Sequence, residues 1–547
     1  MFHLTIEVPT RQGVTLRGLH YAPDSSPAPT VMGLTPYGAD RFHPDGKQFA
    51  ARGFHFVSLD TRGRGDSDGR FTPFVHDAAD GHDAVEWLAD QPWCNGDVVL
   101  YGGSYCGFVQ WAIAGTHPAG LRAIAPAASV YPGIDFPMER NVAMPYAVRW
   151  LSYVDGRRAN RVLFLDDSFW KDATRAAIAD NRPIRDLDLA LIGRRLPAFQ
   201  DWLDHPELDE YWDSMVPRQR GDITVPVLTI TGQYDDDQLG GLRYHDEHIA
   251  ALAPDLVERH QVVIGPWDHA GTRSGARSFG GLTFAESSEL DLRALQADWY
   301  DWVLGRAAKP EFLTDRVVYF HSGEDRWRSR PDIPAGPEFL KLYPLADQSE
   351  GHHRVLSTTE PAAAHTVELL ADPRNAADVS RSDPDESTYL VDAQPLHQTE
   401  NPALVHVTAP LPAAVDVSGR IQARLILSAD LPDFDVLVSV YRLAADGATV
   451  LLGKSVLRAR YRASLRHPTP WPPDEPTPVE VSFPFVSLRT RPGDRLAMVI
   501  SSPYLLYQPN FQTGGAVSEE TLKDAVQGVI RLIQDPARPS YLAFPLG

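Results

Sequence analysis

Cysteine is almost absent from this chain, which has two, Cys94 and Cys106, among 547 residues. Neither stands in a C-x-x-C or similar spacing, which argues against a disulfide framework and a thiolate metal centre; both are expected as reduced thiols. Histidine is commoner, at 19, yet no H-E-x-x-H or comparable cluster occurs, so neither a metal nor another cofactor is expected. A run of about 18 apolar residues is missing throughout. The opening MFHLTIEVPTRQGVTLRG lacks the charged start, apolar stretch and small-residue cleavage site of a secretory leader. A soluble cytoplasmic protein without membrane partners is expected. Positive charge is in deficit, with 51 Lys and Arg against 72 Asp and Glu and a net charge of −21. That balance opposes binding to a phosphate backbone and suits a neutral or cationic small molecule. Strongly biased tracts are also lacking: 43% hydrophobic and 22% charged residues describe a chain that folds throughout.

At this length one hydrophobic core does not suffice, and about three domains are expected. From Leu4 to about Val130, short β-type runs (Thr30–Leu34, His55–Leu59, Val98–Tyr101, Arg122–Ala125) alternate with helical patterns such as HDAADGHDAVEWLADQ. Such alternation marks an α/β sheet with crossover helices. Residues 131–221 replace it with helical segments rich in Arg, Asp, Trp and Tyr. The α/β rhythm resumes over 222–314, so the first domain is discontinuous (1–130 and 222–314) around a helical insertion. Beyond it, over 315–547, β-rich runs (RVVYFHSG, ARLILSAD, FDVLVSVYRL, RLAMVIS) separated by Pro- and Gly-rich turns predict a β-sandwich or jelly roll.

The strongest local feature is VVLYGGSYCGFVQWAIAG, a strand running through Gly102-Gly103-Ser104-Tyr105-Cys106-Gly107 into a helix. A serine on so sharp a turn, with small neighbours and a helix N-terminus behind it, has the pattern of a nucleophile elbow. By chance alone the motif would arise roughly once in five chains of this length, so context must supply the specificity. A serine hydroxyl needs a base to take its proton, and the base needs a third group to hold its tautomer. After such an elbow the order is Ser, then Asp or Glu, then His. Two later strand exits fit: TVPVLTITG before Gln233-Tyr234-Asp235-Asp236-Asp237, and HQVVIG before Pro266-Trp267-Asp268-His269. Asp235 follows its strand most closely, and His269 lies at a strand exit, whereas His245, His248 and His260 fall inside helical or strand patterns. Asp236 and Asp237 read as solvated loop charges, with a role in binding a substrate ammonium as the sharper option. For the oxyanion of acyl transfer, the Tyr105 backbone N–H is one candidate donor and the Tyr37 hydroxyl, in TVMGLTPYGAD, is the other.

These residues resemble the CocE/NonD-type hydrolases, the cocaine-esterase-like family related to X-prolyl dipeptidyl aminopeptidases and α-amino-acid ester hydrolases. Thr35-Pro36-Tyr37-Gly38, Asp60-Thr61-Arg62-Gly63, Gln91-Pro92-Trp93-Cys94-Asn95-Gly96 and the elbow each match a family segment in order. So do His205-Pro206 with Asp209 and Tyr211-Trp212, then Gly232-Gln233-Tyr234-Asp235, Gly265-Pro266-Trp267-Asp268-His269 and Trp302-Val303-Leu304-Gly305. The resemblance implies an α/β-hydrolase domain with an inserted helical cap and a C-terminal jelly-roll domain. It implies a covalent acyl-Ser104 route on an ester or activated amide, with His269 as base, Asp235 as acid, and Tyr37 and Tyr105 at the oxyanion. Acyl transfer to an amine or alcohol, X-prolyl peptidase activity and a non-catalytic binding protein on the same fold are the competing readings; a homo-oligomer stays open. Cys106, two positions from Ser104, reads as a small packed side chain. The acid assignment has a direct check: Asp235→Asn is expected to leave the fold intact and to lower kcat by several orders of magnitude, because a carboxamide can hold the wrong imidazole tautomer. Asp236→Asn is expected to leave both the fold and kcat unchanged.

Overall fold

The computed structural model describes residues 3–547 except 218–219, 337, 349–352, 377–387, 394–395, 397–402 and 504–506. Ten strands form the large sheet: β1 (His3–Pro9), β2 (Thr15–Tyr21), β3 (Ala28–Thr35), β4 (His55–Asp60), β5 (Cys94–Gly103), β6 (Leu121–Ala127), β7 (Val227–Tyr234), β8 (His260–Asp268), β9 (Val317–His321) and β10 (Arg326–Arg330). Their order across the sheet is β1-β2-β4-β3-β5-β6-β7-β8-β9-β10. Pairing is parallel from β4 through β9 and antiparallel at both margins. Strands β3, β4 and β9 are buried along their whole length, as expected of sheet strands covered on both faces. On one face Met32, Val57, Leu100 and Ile124 meet the helices Asp77–Ala89 and Tyr105–Ala114 through Val85, Leu88, Phe108 and Trp111. On the other, Val31, Phe56, Val99 and Val263 meet His43–Ala51 and Leu292–Val303 through Phe49, Trp299 and Tyr300.

Between β6 and β7 the chain builds six helices, from Tyr146–Val154 to Glu210–Asp213, whose apolar faces join the first of these cores through Trp150, Leu151, Leu187, Phe199 and Trp202. In this segment His205 and Asp209 pair at 2.6 Å, Tyr211 stacks on His205, and the Trp212 indole N–H donates to the His205 carbonyl at 2.8 Å. The matching sequence signature is therefore a locally braced packing unit. Among the described residues no helix is long and apolar enough to cross a membrane.

The rest of the chain is a separate β-rich domain, an eleven-stranded and almost wholly antiparallel sheet. Strands from its two halves, such as Asp416–Ala429 and Asp435–Leu443, send Leu425, Leu427, Val436 and Val438 into one apolar core. The run RVVYFHSG, placed by its local pattern in the β-rich region starting at 315, supplies β9, which pairs parallel with β8, while β10 closes the sheet beside it. A fully buried strand reads the same in either setting, so periodicity could not assign it.

Two glutamines tie the domains together at the carboxyl end of β7. The Gln233 amide donates to the Phe320 carbonyl at 2.6 Å and its oxygen accepts from the Ser487 N–H at 2.9 Å. Gln238 donates to the Gly232 and Phe485 carbonyls at 2.9 and 3.0 Å, and accepts from the Phe485 N–H at 2.6 Å. Phe485 itself enters the cluster of Leu242, Val262, Ile264 and Tyr319 on the hydrolase sheet. Leaving such buried backbone groups unsatisfied costs about 1–3 kcal/mol each. Gln238→Leu is expected to lower the midpoint of thermal unfolding by at least a few degrees, measured by calorimetry or circular dichroism, while Gln238→Glu at low pH recovers part of the loss.

Candidate active site

Strand β5 ends at Gly103 and the helix Tyr105–Ala114 begins one residue later, which leaves Ser104 alone to make the turn. Its backbone sits at φ 64°, ψ −129°, a conformation that costs a non-glycine residue about 1–3 kcal/mol. The Ser104 N–H donates to the Ala127 carbonyl at 2.9 Å, and its carbonyl accepts from the Gly107 and Phe108 N–H groups at 2.8 and 3.1 Å. Small neighbours are obligatory. A Cβ on Gly102 would lie 2.6 Å from the Cys106 Cβ, and one on Gly107 would lie 2.7 Å from the Ala127 oxygen.

Asp235 follows β7, and its carboxylate is held from both sides: Oδ2 accepts from the Thr231 hydroxyl at 2.9 Å and Oδ1 from the Asp237 N–H at 3.1 Å. His269 follows β8, where the pairing with β7 shifts between Gly265 and Asp268. The irregularity has a steric basis, since a Cβ on Gly265 would meet the Trp267 ring at 2.2 Å and one on Gly232 the Trp267 carbonyl at 2.0 Å. The bulge re-aims the chain so that His269 turns back over the sheet. Its Nδ1 then lies 2.9 Å from Asp235 Oδ1 and its Nε2 3.0 Å from Ser104 Oγ. Three side chains up to 165 positions apart thus form one hydrogen-bonded series.

Tyr37 packs beside this series. Its hydroxyl oxygen accepts from the Trp150 indole N–H at 3.1 Å, which leaves the phenolic hydrogen to point elsewhere, and the hydroxyl is within hydrogen-bonding reach of Ser104. Burial pushes this phenol well above the ordinary tyrosine range, so it stays a neutral donor. The fully buried Arg64 fixes the loop below by donating to the Pro36 carbonyl at 2.7 Å, and it also bonds the Gly156 carbonyl in the helical insertion. The Tyr105 side chain is turned away: its hydroxyl donates to Asp77 at 2.6 Å and accepts from the Phe74 N–H at 2.8 Å. What Tyr105 offers the site is its backbone N–H, the first of its helix and without an intrahelical partner by geometry.

The electrostatics are set by burial. Asp77 beneath the elbow is pushed up to about 7 by desolvation, and the Cys106 thiol to about 12 by the same cause, so Cys106 stays protonated, an inert packed group. Burial and Arg273 pull the His269 imidazole down, but Asp237 and Asp235 outweigh them, and its pKa stands above 6.5. Asp237, read from sequence as a solvated loop charge, is instead buried, with Oδ2 3.5 Å from His269 Nδ1, whereas Asp236 is exposed. Burial and the neighbouring carboxylates raise Asp237 well above the usual range. Sequence separated Asp235 by its nearness to the strand but not Asp236 from Asp237, which the turn into helix Gln238–Ala251 rotates to different environments.

A cavity of about 890 Å³ opens over Ser104 and His269, bounded by Tyr37, Phe136, Tyr146, Trp150, Tyr153 and Trp170. Of the aromatic residues on the inserted helices, Trp150, Tyr153 and Trp170 face it. Phe199 and Trp202 lie in the core instead, and Phe169 is partly exposed. Trp150, Arg64 and Arg273 were missed as polar members of the site; nothing in the local pattern marks them. Among the described residues two groups bring carboxylate and imidazole atoms within 4.8 Å, Asp235/Asp237/His269 and His321/Glu324/Asp416. In the second, Arg326, Arg328 and Arg489 already bond the carboxylates, and in the first the same atoms make the Ser104 series, so ion pairing and proton transfer describe them better than cation binding.

An elbow serine, an imidazole at a bulged strand exit and a buried carboxylate on a parallel sheet define a serine hydrolase of the α/β-hydrolase class. Comparison with known proteins agrees. Residues 12–271 match the family described as X-Pro dipeptidyl-peptidase (S15 family), and residues 313–543 match the X-Pro dipeptidyl-peptidase C-terminal non-catalytic domain. Cocaine esterase of Rhodococcus sp. (strain MB1 Bresler) is 28% identical over 99% of this chain and 98% of its own. In fold, an aminopeptidase from a marine sediment Thaumarchaeota archaeon (TM-score 0.85, 22% identity, 99% of this chain and 96% of that one) is similar throughout. An α-amino acid ester hydrolase is equally so (TM-score 0.85, 21% identity, 100% and 97%). The chain thus carries the catalytic and C-terminal domains of X-Pro dipeptidyl-peptidases, is a homologue of cocaine esterase, and is a serine ester hydrolase.

The position of Asp237 generates a measurable consequence. Activity that needs a neutral imidazole is lost as pH falls through the folded pKa of His269, so the acid limb of kcat/KM is expected at higher pH than an unperturbed imidazole would give. Asp237→Asn removes one of the charges that favour the imidazolium, and the limb is expected to move to lower pH in a pH–rate profile.

Proposed function

We propose that Ser104 is the nucleophile, His269 the general base and Asp235 the group that fixes the imidazole tautomer. The observation that carries this is one imidazole within 3.0 Å of a serine hydroxyl and 2.9 Å of a carboxylate. As Ser104 Oγ attacks the carbonyl carbon of an ester, or of an activated or aminoacyl amide, its proton passes to His269 Nε2. The Tyr37 hydroxyl and the Tyr105 N–H receive the developing oxyanion, a term worth about 3–4 kcal/mol per donor in related chemistry. The C–O or C–N bond then breaks as His269 returns the proton to the leaving group, giving acyl-Ser104. Water, deprotonated by the same imidazole, completes hydrolysis.

In this scheme the helices between β6 and β7 act as a cap, supported by Trp150, whose indole reaches Tyr37. The β-rich domain has the strand pattern of a jelly roll and buttresses the loop that carries Asp235 through Gln233 and Gln238. The three divisions are a catalytic domain built from the first 130 residues and from 222 onward through β10, a cap over 131–221, and the jelly roll after it. A small molecule is the proposed partner, with the cytoplasm as location. Acyl transfer uses the same residues and requires only that the cavity hold an amine or alcohol more readily than water. Cleavage of an aminoacyl or X-prolyl amide would use the same three residues, with the exposed Asp236 carboxylate on the cavity lining as the group to receive a substrate ammonium. A fluorophosphonate probe separates all of these from a binding protein: wild type is expected to be labelled stoichiometrically and Ser104→Ala not at all, by intact-mass spectrometry. Unlabelled, folded wild type would overturn the proposal.

A further inference from the structure

Three cations that line the cavity are paired with carboxylates: Arg293 with Asp45, and Arg149 and Lys171 with Asp167 at 2.9 and 2.8 Å. Arg41, Arg161 and Arg273 have no carboxylate partner among the described residues, and of these Arg273 is the one that touches His269. Arg273 lies on the short helix Gly271–Ser274, one turn after His269. Its stem crosses the elbow so closely that a Cβ on Gly103 would lie 2.9 Å from Arg273 Cδ. Among the described residues the one hydrogen-bonding contact of its guanidinium is long, 3.4 Å from Nη1 to His269 Nε2. That nitrogen has a single lone pair, and the Ser104 hydroxyl claims it at 3.0 Å. The guanidinium therefore has nearly all of its five donors free at the mouth of the Ser104–His269 pair.

A cation in this place opposes the chemistry around it, because it disfavours the imidazolium that must form when Ser104 gives up its proton. The cost vanishes if a substrate brings the counter-charge. Charge is also separated across the imidazole: the Asp235 and Asp237 carboxylates face Nδ1, while Arg273 faces Nε2, the side on which substrate must bind. We propose that Arg273 is a specificity-determining residue that receives an anionic group, of the carboxylate class, carried by the substrate close to its scissile carbonyl. The planar fork of the guanidinium suits bidentate pairing with a carboxylate. Local charge thus departs from the expectation set by the net charge of −21, which favoured neutral or cationic substrates. The proposal rests on Ser104 being the nucleophile.

Two matched pairs of esters test it. In one the anion is on the acyl side (p-nitrophenyl hydrogen adipate against p-nitrophenyl hexanoate). In the other it is on the leaving group (the hexanoyl ester of 3-hydroxybenzoate against phenyl hexanoate). In at least one pair the anionic member is expected to have the higher kcat/KM, mainly through a lower KM. Arg273→Gln is expected to reduce the anionic-to-neutral ratio at least tenfold, and Arg273→Lys to keep part of it. Free adipate should compete with p-nitrophenyl hexanoate on the wild type, so the outcome does not hang on one variant folding. Ratios unmoved by Arg273→Gln in both pairs, including an equal loss on both members, would overturn the inference and point to a general oxyanion or packing role. Neutral-ester hydrolysis that Ser104→Ala abolishes would still uphold the nucleophile assignment in that case; its persistence in Ser104→Ala would defeat that assignment instead.

Discussion

A single residue in a forbidden-looking backbone conformation organises the molecule. Ser104 can hold φ 64° only because strand β5 stops before it, a helix starts after it, and Gly102, Gly103 and Gly107 leave room for Cys106, Arg273 and the Ala127 carbonyl. The rigidity comes from the parallel sheet, whose buried strands fix where β5 ends to within a fraction of an ångström. In exchange, the hydroxyl projects from the sheet edge with its shape already set, so little ordering remains when a substrate arrives.

The imidazole and the carboxylate reach that hydroxyl by a different device. Both stand on strand exits, but β8 must carry a bulge at Pro266 and Trp267, and β7 must offer Gly232 for the bulge to cross. The loop bearing Asp235 is then bound to a second domain by Gln233 and Gln238, whose amides satisfy backbone groups of Ser487 and Phe485. A domain that contributes no side chain to the Ser104–His269–Asp235 series therefore shares in holding Asp235 in place. Other contacts extend the same clamp to the helical insertion, where Arg466 bonds Asp213 at 2.7 Å and the Leu208 N–H donates to the Leu465 carbonyl at 2.9 Å.

Charge in the site follows burial rather than composition. The chain is strongly acidic, yet beside the serine the balance is between two carboxylates on one flank of the imidazole and a guanidinium on the other. Asp237 shows how little the sequence constrains this. It stands next to Asp236 in an acidic triplet, but one is in solvent and the other faces His269 at 3.5 Å.

Much of the fold was legible because it rests on local physics. Alternating strands and helices, a helical interruption and a β-rich remainder leave period and composition signatures, and Gly102-Gly103-Ser104-Tyr105-Cys106-Gly107 announces a turn that only small residues permit. Strand exits in the right order pointed to Asp235 and His269 for the same reason. The assignment of β9 and β10 to the first sheet was not legible, since a buried strand carries no mark of its partner. Nor were Trp150 on Tyr37, Arg64 on Pro36 and Arg273 over Gly103, because each is a contact between segments distant in the chain or turned by a helix. By itself the sequence determined which residue types stand at each strand end, because steric and periodic rules act within a few residues. Only the tertiary structure decided what faces what, because distance, burial and therefore charge state arise when separate segments exclude water together.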